Sequence, residues 1–291
     1  MWRMRWTGLL LAVACSHTQP PPAPLSVPSE NAAGPANLPD GGPADGGTFS
    51  TDAGAPRADL ISPITIPVRE MPAGLDWGEK GKEPAATIFK NVKVLGAASG
   101  DRFMAAMQSM QANLGRKCEL CHQVAQKDFA SDAKKEKERS RDMIRMNEEI
   151  NRRSFGGTIR VTCWTCHRGD EKPAEMGFSR ELPEPFAKMP PEQLTRKAED
   201  VFKDVRILRG MDVRNFGFIM GWFAREMGAK CTHCHAEKDF AADTPKKTRA
   251  REMLDMTSYI AKGYYGNDSP VGCGTCHRGK PIPARTAAEK S

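Results

Sequence analysis

Eight of the nine cysteines and four of the six histidines stand in one pattern, Cys-x-x-Cys-His, which occurs four times. The copies comprise Cys118, Cys121 and His122; Cys163, Cys166 and His167; Cys231, Cys234 and His235; and Cys273, Cys276 and His277. Zinc takes four Cys or His ligands in a tetrahedron and does not require a His directly after the second Cys. A redox dithiol has no use for that His either. Covalent haem uses every position: two thiols bond to the two vinyl groups, and the following imidazole becomes the proximal iron ligand. The pattern predicts four covalently attached haem c groups, with zinc ribbons or structural disulfides as the competing readings.

The N-terminus carries an independent indication of compartment. Arg3 and Arg5, a short apolar run and then Cys15 read as an export signal over residues 1–14. Ala12-Val13-Ala14 before Cys15 resembles a lipoprotein processing box, although Leu is commoner where Ala12 stands, so Cys15 is the expected lipid attachment point. Residues 15–60 are Pro, Ala, Gly, Ser and Asp with scarcely any large apolar side chain, a composition that cannot bury a core. They read as a disordered tether with an average reach on the order of 35–40 Å. No other apolar stretch approaches the length needed to span a bilayer. Together these features place the folded part outside the cytoplasm, on the periplasmic or outer-surface side of a bacterial membrane.

The elements that must position the four motifs are legible through an internal repeat. Residues 91–107, NVKVLGAASGDRFMAAM, align without a gap on residues 204–220, DVRILRGMDVRNFGFIM, and RDMIRMNEEI from Arg141 aligns on REMLDMTSYI from Arg251. Each repeat reads as helix, attachment site, helix, attachment site, so the expected fold is mainly α, two tandem dihaem repeats over residues 61–175 and 176–291. Ser99 or Asp101 is expected to cap a helix ending near Gly115, and Asp212 one ending at Gly228. Asp132 is expected to open the charged helix containing KKEKERSRDMIRM, and Thr244-Pro245 its counterpart, stopping at Gly263. Short strands are expected at residues 64–68, 92–95 and 205–208. With aromatics at 7%, four macrocycles would fill much of the core.

A haem with only its proximal His binds small molecules, whereas one closed by a second side chain passes electrons, so the sixth iron ligand separates the two functions. His17 lies in the tether and His233 inside an attachment loop, so methionine is the remaining candidate. Met107 and Met220 each lie eleven residues before an attachment Cys, and Met143 and Met253 each lie twenty before one. Met104, Met110, Met146 and Met256 sit three residues away on the same faces, and packing is the ordinary role of such residues; Met146 and Met256 stand as substitutes one turn along.

With these residues in view, the chain resembles the tetrahaem cytochrome subunit of bacterial photosynthetic reaction centres over residues 61–283. The marks are MxxM before an attachment site, RxMxxM in the next helix and VTCWTCHRG. The resemblance implies Met ligation by Met107, Met143, Met220 and, through the repeat, Met253. It also implies a lipid anchor, a redox donor and delivery of electrons to a membrane complex. One departure stands out: the family ligates its fourth haem with a His in the loop after the second helix, where this chain reads NRRSFGGTIR. The fourth haem is then closed by Met or left open.

A net charge of +7 suggests anionic partners. About eight propionates and loss of the signal's two arginines bring the loaded protein closer to neutral. Arg168 and Arg278, directly after the proximal His, suit bidentate propionate binding. The Lys/Glu run over residues 134–141 reads as a solvated helix face, and no nucleic-acid motif is present. The expected function is therefore a non-enzymatic electron relay. A multihaem reductase with one open haem, or a subunit of an extracellular conductive assembly, is the alternative.

Overall fold

Capping chemistry sets the helix boundaries. The computed structural model describes residues 78–174, 177–266 and 268–289, all within one compact unit of residues 54–291. Cys15, the signal, the tether and the expected strand at residues 64–68 lie outside the described residues. The described helices are α1 (Ala85–Ile88), α2 (Gly100–Leu114), α3 (Lys135–Phe155), α4 (Cys163–His167), α5 (Glu184–Ala187), α6 (Pro191–Leu194), α7 (Ala198–Val201), α8 (Val213–Glu226), α9 (Pro245–Tyr265) and α10 (Cys273–His277).

Ser99 Oγ accepts from Arg102 N at 3.4 Å to open α2, which ends at left-handed Gly115. Asp212 Oδ1 accepts from Asn215 N at 2.7 Å to open α8, whose last helical residue is Glu226, with Gly228 left-handed just beyond. Thr244 Oγ1 accepts from Lys247 N at 3.2 Å to open α9, with Pro245 in its first turn.

The structure departs from four expectations. α9 runs through Gly263 and stops at left-handed Gly266, because Ile260 and Tyr265 pack against the core and outweigh the cost of about 1 kcal/mol of one interior Gly. Asp132 does not cap α3, which starts at Lys135; its carboxylate instead meets Lys93 at 2.8 Å and Arg141 at 2.9 Å. The Lys/Glu run is only partly solvated, since Lys137 and Arg141 are buried at 9% and 4% exposure.

The expected strands at residues 92–95 and 205–208 are instead irregular chain that bends at residues 94–95 and 207–208. Asn91 and Asp204, each directly before one of these segments, and Leu95 at the end of the first hold left-handed backbone, which turns the chain away from an extended run there. Among the described residues, β pairing is limited to the bridges Pro84 to Ser99, Gln123 to Asp128 and Lys197 to Asp212.

α3 packs on α9 around Ile150, Val161, Met256 and Ile260, and a smaller cluster joins Leu95, Ala106 and Ile144. α4 packs on α2, α10 on α8, and α4 on α10. Thus each short attachment helix is held between a long helix and the other attachment helix. Among the described residues no helix is long and apolar enough to cross a membrane.

Candidate haem sites

The four motifs adopt two local forms. Cys118–Leu120 and Cys231–His233 are single 3-10 turns. The other two motifs are the one-turn helices α4 and α10, each ended by a left-handed arginine, Arg168 or Arg278. In α4 the buried Thr165 Oγ1 accepts from Thr162 N at 3.0 Å, and in α10 Thr275 Oγ1 accepts from Gly272 N at 3.0 Å. These threonines latch the start of each turn. Sequence reasoning passed over them because they occupy the free positions between the cysteines, but their shared place in CWTCH and CGTCH was the available signal.

α4 and α10 meet in a reciprocal contact. Cys166 Sγ lies 3.5 Å from Cys276 Sγ. Arg168 Nη2 donates to Cys276 O at 3.1 Å, and Arg278 Nη2 donates to Cys166 O at 2.7 Å. The Nε atoms of both arginines are buried without a hydrogen-bond partner, donors that a carboxylate such as a propionate would satisfy. Burial, reinforced by the nearby Glu226 carboxylate, pushes the Cys273 thiol up to about 11.

Glycines permit each attachment helix to dock on its long helix. Gly169 N donates to Asn113 O at 2.8 Å, and Gly279 N donates to Glu226 O at 2.7 Å. A Cβ on Gly115 would stand 2.1 Å from Gly169 O, and one on Gly228 2.1 Å from Gly279 O.

All four motif histidines share one contact. The Nδ1 atoms of His122, His167, His235 and His277 lie 2.9, 3.0, 2.9 and 2.9 Å from the carbonyl oxygens of Phe129, Asp170, Phe240 and Lys280. A carbonyl can only accept, so each Nδ1 carries the proton and each Nε2 presents its lone pair. Burial also pushes His122 and His277 down in pKa, which favours the neutral ring that a metal requires. The Phe129 and Phe240 rings, about half exposed, lie against the His122 and His235 rings at centroid distances of 5.4 and 5.0 Å.

Around the third motif lies a cavity of about 820 Å³. Cys231, Cys234 and His235 line it together with Met220 from α8, and Phe186, Phe202, Phe216 and Leu254 make its wall predominantly apolar. An apolar wall, a thiol pair, an imidazole and a thioether thus face one cavity, the kinds of group that could hold a flat apolar macrocycle with its iron. Among the described residues no three His, Cys, Asp or Glu side chains converge as a tetrahedral metal site demands. None of the eight motif cysteines is disulfide-bonded.

The other methionines are distributed as follows. Met107 is half-buried on α2, whereas Met110 packs on the cluster of Leu95, Ala106 and Ile144. Met143 accepts from Tyr265 Oη at 4.0 Å, a contact from α9 to α3. Met253 lies half-buried against the α3–α9 cluster, in which Met256 is a buried member and Met146 a partner. In the loop that lacks His, Asn151 Oδ1 accepts from Arg160 N and Val161 N at 2.8 and 2.9 Å, holding the chain on its way to α4.

Comparison with known proteins agrees with this chemistry. The family described as "Photosynthetic reaction centre cytochrome C subunit" matches residues 61–189 and 179–291. This chain belongs to that family. Similar relatives are the photosynthetic reaction center cytochrome c subunits of Rubrivivax gelatinosus, 25% identical across 77% of this chain and 76% of that protein, and of Roseobacter denitrificans, 24% identical across 70% and 71%. That of Thermochromatium tepidum is 28% identical across 74% of this chain and 65% of that protein. The chain is accordingly an electron-transfer cytochrome with covalently bound haem c.

Proposed function

We propose that this cytochrome is a tetrahaem electron relay built from two tandem dihaem repeats, residues 61–175 and 176–291. The reading is carried by the 3.5 Å approach of Cys166 and Cys276, which sets two attachment sites against each other as a relay requires and a single catalytic haem does not. Haem, when bound, supplies one-electron transfer at iron; the chain supplies everything that selects its place and potential. The cysteine pairs fix each macrocycle, and His122, His167, His235 and His277 present Nε2. Met107, Met143, Met220 and Met253 would offer the iron a thioether sulfur, a weak donor that favours the ferrous state. Arg168 and Arg278 take propionates through their buried, unpartnered Nε atoms.

Cys15 carries a lipid and residues 15–60 tether the fold, so the cytochrome works at the outer face of a bacterial membrane. It receives electrons from a redox protein and passes them to a membrane complex such as a photosynthetic reaction centre, the assembly named for its relatives. Intact-mass analysis of the mature protein is expected to show four haems, about 2.5 kDa of added mass. Fewer than four after proper maturation would refute the count. Carbon monoxide is expected to leave the reduced spectrum almost unchanged; a full shift at one haem would identify an open fourth site and a reductase instead. Cys15→Ser is expected to release the protein from washed membranes with its haem spectrum intact.

A further inference from the structure

Two buried lysines share the carbonyls that orient proximal histidines. Lys137 Nζ donates to Phe129 O, Ala130 O and Ser131 O, each at 2.9 Å. Lys247 Nζ donates to Phe240 O, Ala241 O and Ala242 O at 3.2, 3.2 and 3.1 Å. Phe129 O and Phe240 O are also the acceptors of His122 and His235 Nδ1. One oxygen in each loop therefore serves an imidazole and an ammonium at once. Both lysines are nearly sealed from solvent, at 9% and 8% exposure, an environment lysine enters only when its charge is matched. Among the described residues, no lysine ammonium is hydrogen-bonded to Asp170 O or Lys280 O, the corresponding acceptors at α4 and α10.

A carbonyl accepting from Nδ1–H pulls on that proton and makes Nε2 a stronger donor to a metal. A cation on the same oxygen withdraws its lone-pair density and weakens this pull. The direct field of the cation acts in the same direction, disfavouring the more positive ferric state. Resting on the tetrahaem reading above, we propose that Lys137 and Lys247 are positioning residues that raise the reduction potentials of the first and third haems by weakening His122 and His235 as donors. The two copies differ in strength. Lys247 is neutralised by Asp204 Oδ2 at 2.5 Å, whereas Lys137 meets Asp132 Oδ1 only at 3.5 Å, so the first haem feels its lysine more.

The test is a haem-resolved spectroelectrochemical titration of the four-haem protein carrying Lys137→Met, Lys247→Met or Asp204→Asn. Lys137→Met is expected to lower one haem's potential, shifting its ferrous-to-ferric ratio at fixed potential on the order of tenfold, and Lys247→Met to lower another by less. Asp204→Asn keeps the lysine and removes the counter-charge it shares with Arg206 and Arg251, so the third haem's potential is expected to rise. The Nδ1–H proton resonance of His122 is expected to move downfield in Lys137→Met, reporting a stronger bond to Phe129 O. Potentials unmoved in all three variants, with only a lower melting temperature, would overturn the proposal and leave the lysines as loop pins. If the methionine variants lose haem, Asp204→Asn decides alone: an unchanged or lowered potential refutes the proposal. A wild-type protein with fewer than four haems would instead strike the tetrahaem reading.

Discussion

Cys166 Sγ and Cys276 Sγ lie 3.5 Å apart although 110 residues separate them in the chain. Thioethers formed at these sulfurs would bring two haem edges together, so the second and fourth haems are expected to interact. Met143→His, which strengthens an axial donor, is expected to lower the second haem's potential and also shift the fourth. Met107→His or Met220→His is expected to shift one haem alone. A shift confined to the second haem in Met143→His would contradict the pairing.

Gly115 and Gly228 combine positive φ with a carbonyl 2.1 Å from any added Cβ. Gly115→Ala and Gly228→Ala are each expected to destabilise the fold by roughly 2 kcal/mol or more. Thermal unfolding, with haem content measured in parallel, checks this; wild-type melting in either variant would show that the docking of α4 on α2 or α10 on α8 is loose.

Arg278→Lys keeps the charge but cannot maintain both the 2.7 Å bond to Cys166 O and a donor at the buried Nε position. A loss of about 1–2 kcal/mol is expected from denaturant titration. Arg168→Lys, whose bond to Cys276 O is longer at 3.1 Å, is expected to lose less.

Met110→Leu is a packing change against Leu95, Ala106 and Ile144, expected to cost below about 1.5 kcal/mol and leave every potential in place. Met107→Leu is expected to abolish one Met-to-iron absorption band. The reverse pattern would move the ligand by one helical turn.

Asp204 ties together three basic side chains. Burial opposes its charge, but Lys247, Arg251 and Arg206 at 2.5, 2.7 and 2.5 Å hold the carboxyl well below its ordinary value of 3.8. A depressed folded pKa means that the contribution is complete above the unfolded value and is lost as pH falls from there through the folded value. Asp204→Asn, which tolerates the left-handed backbone here, is expected to cost roughly 3 kcal/mol at neutral pH. The difference from wild type is expected to shrink as the pH is lowered below about 4. Acid-denaturation curves of the pair check it; a constant gap would show that charge is not the cause.

The chain's covalent chemistry was written in its sequence. Each Cys-x-x-Cys-His supplies two thiols and an imidazole within five residues, and such local constellations depend little on the rest of the fold. Caps were legible for the same reason: Ser99, Asp212 and Thr244 act on backbone N–H groups three residues away. Asp132 was misread because capping competes with distant partners, and Lys93 and Arg141 offered stronger ones. Strands at residues 92–95 and 205–208 were misread because left-handed backbone at Asn91, Leu95 and Asp204 leaves no mark in hydrophobic pattern. What tertiary structure alone decided is which sites meet and what surrounds them. The contact of α4 with α10, the arginines exchanged between their carbonyls and the lysines placed on the Phe129 and Phe240 oxygens join atoms distant along the chain or on opposite sides of a loop. Their energies depend on burial and on distances of a few ångströms, and both are properties of packing.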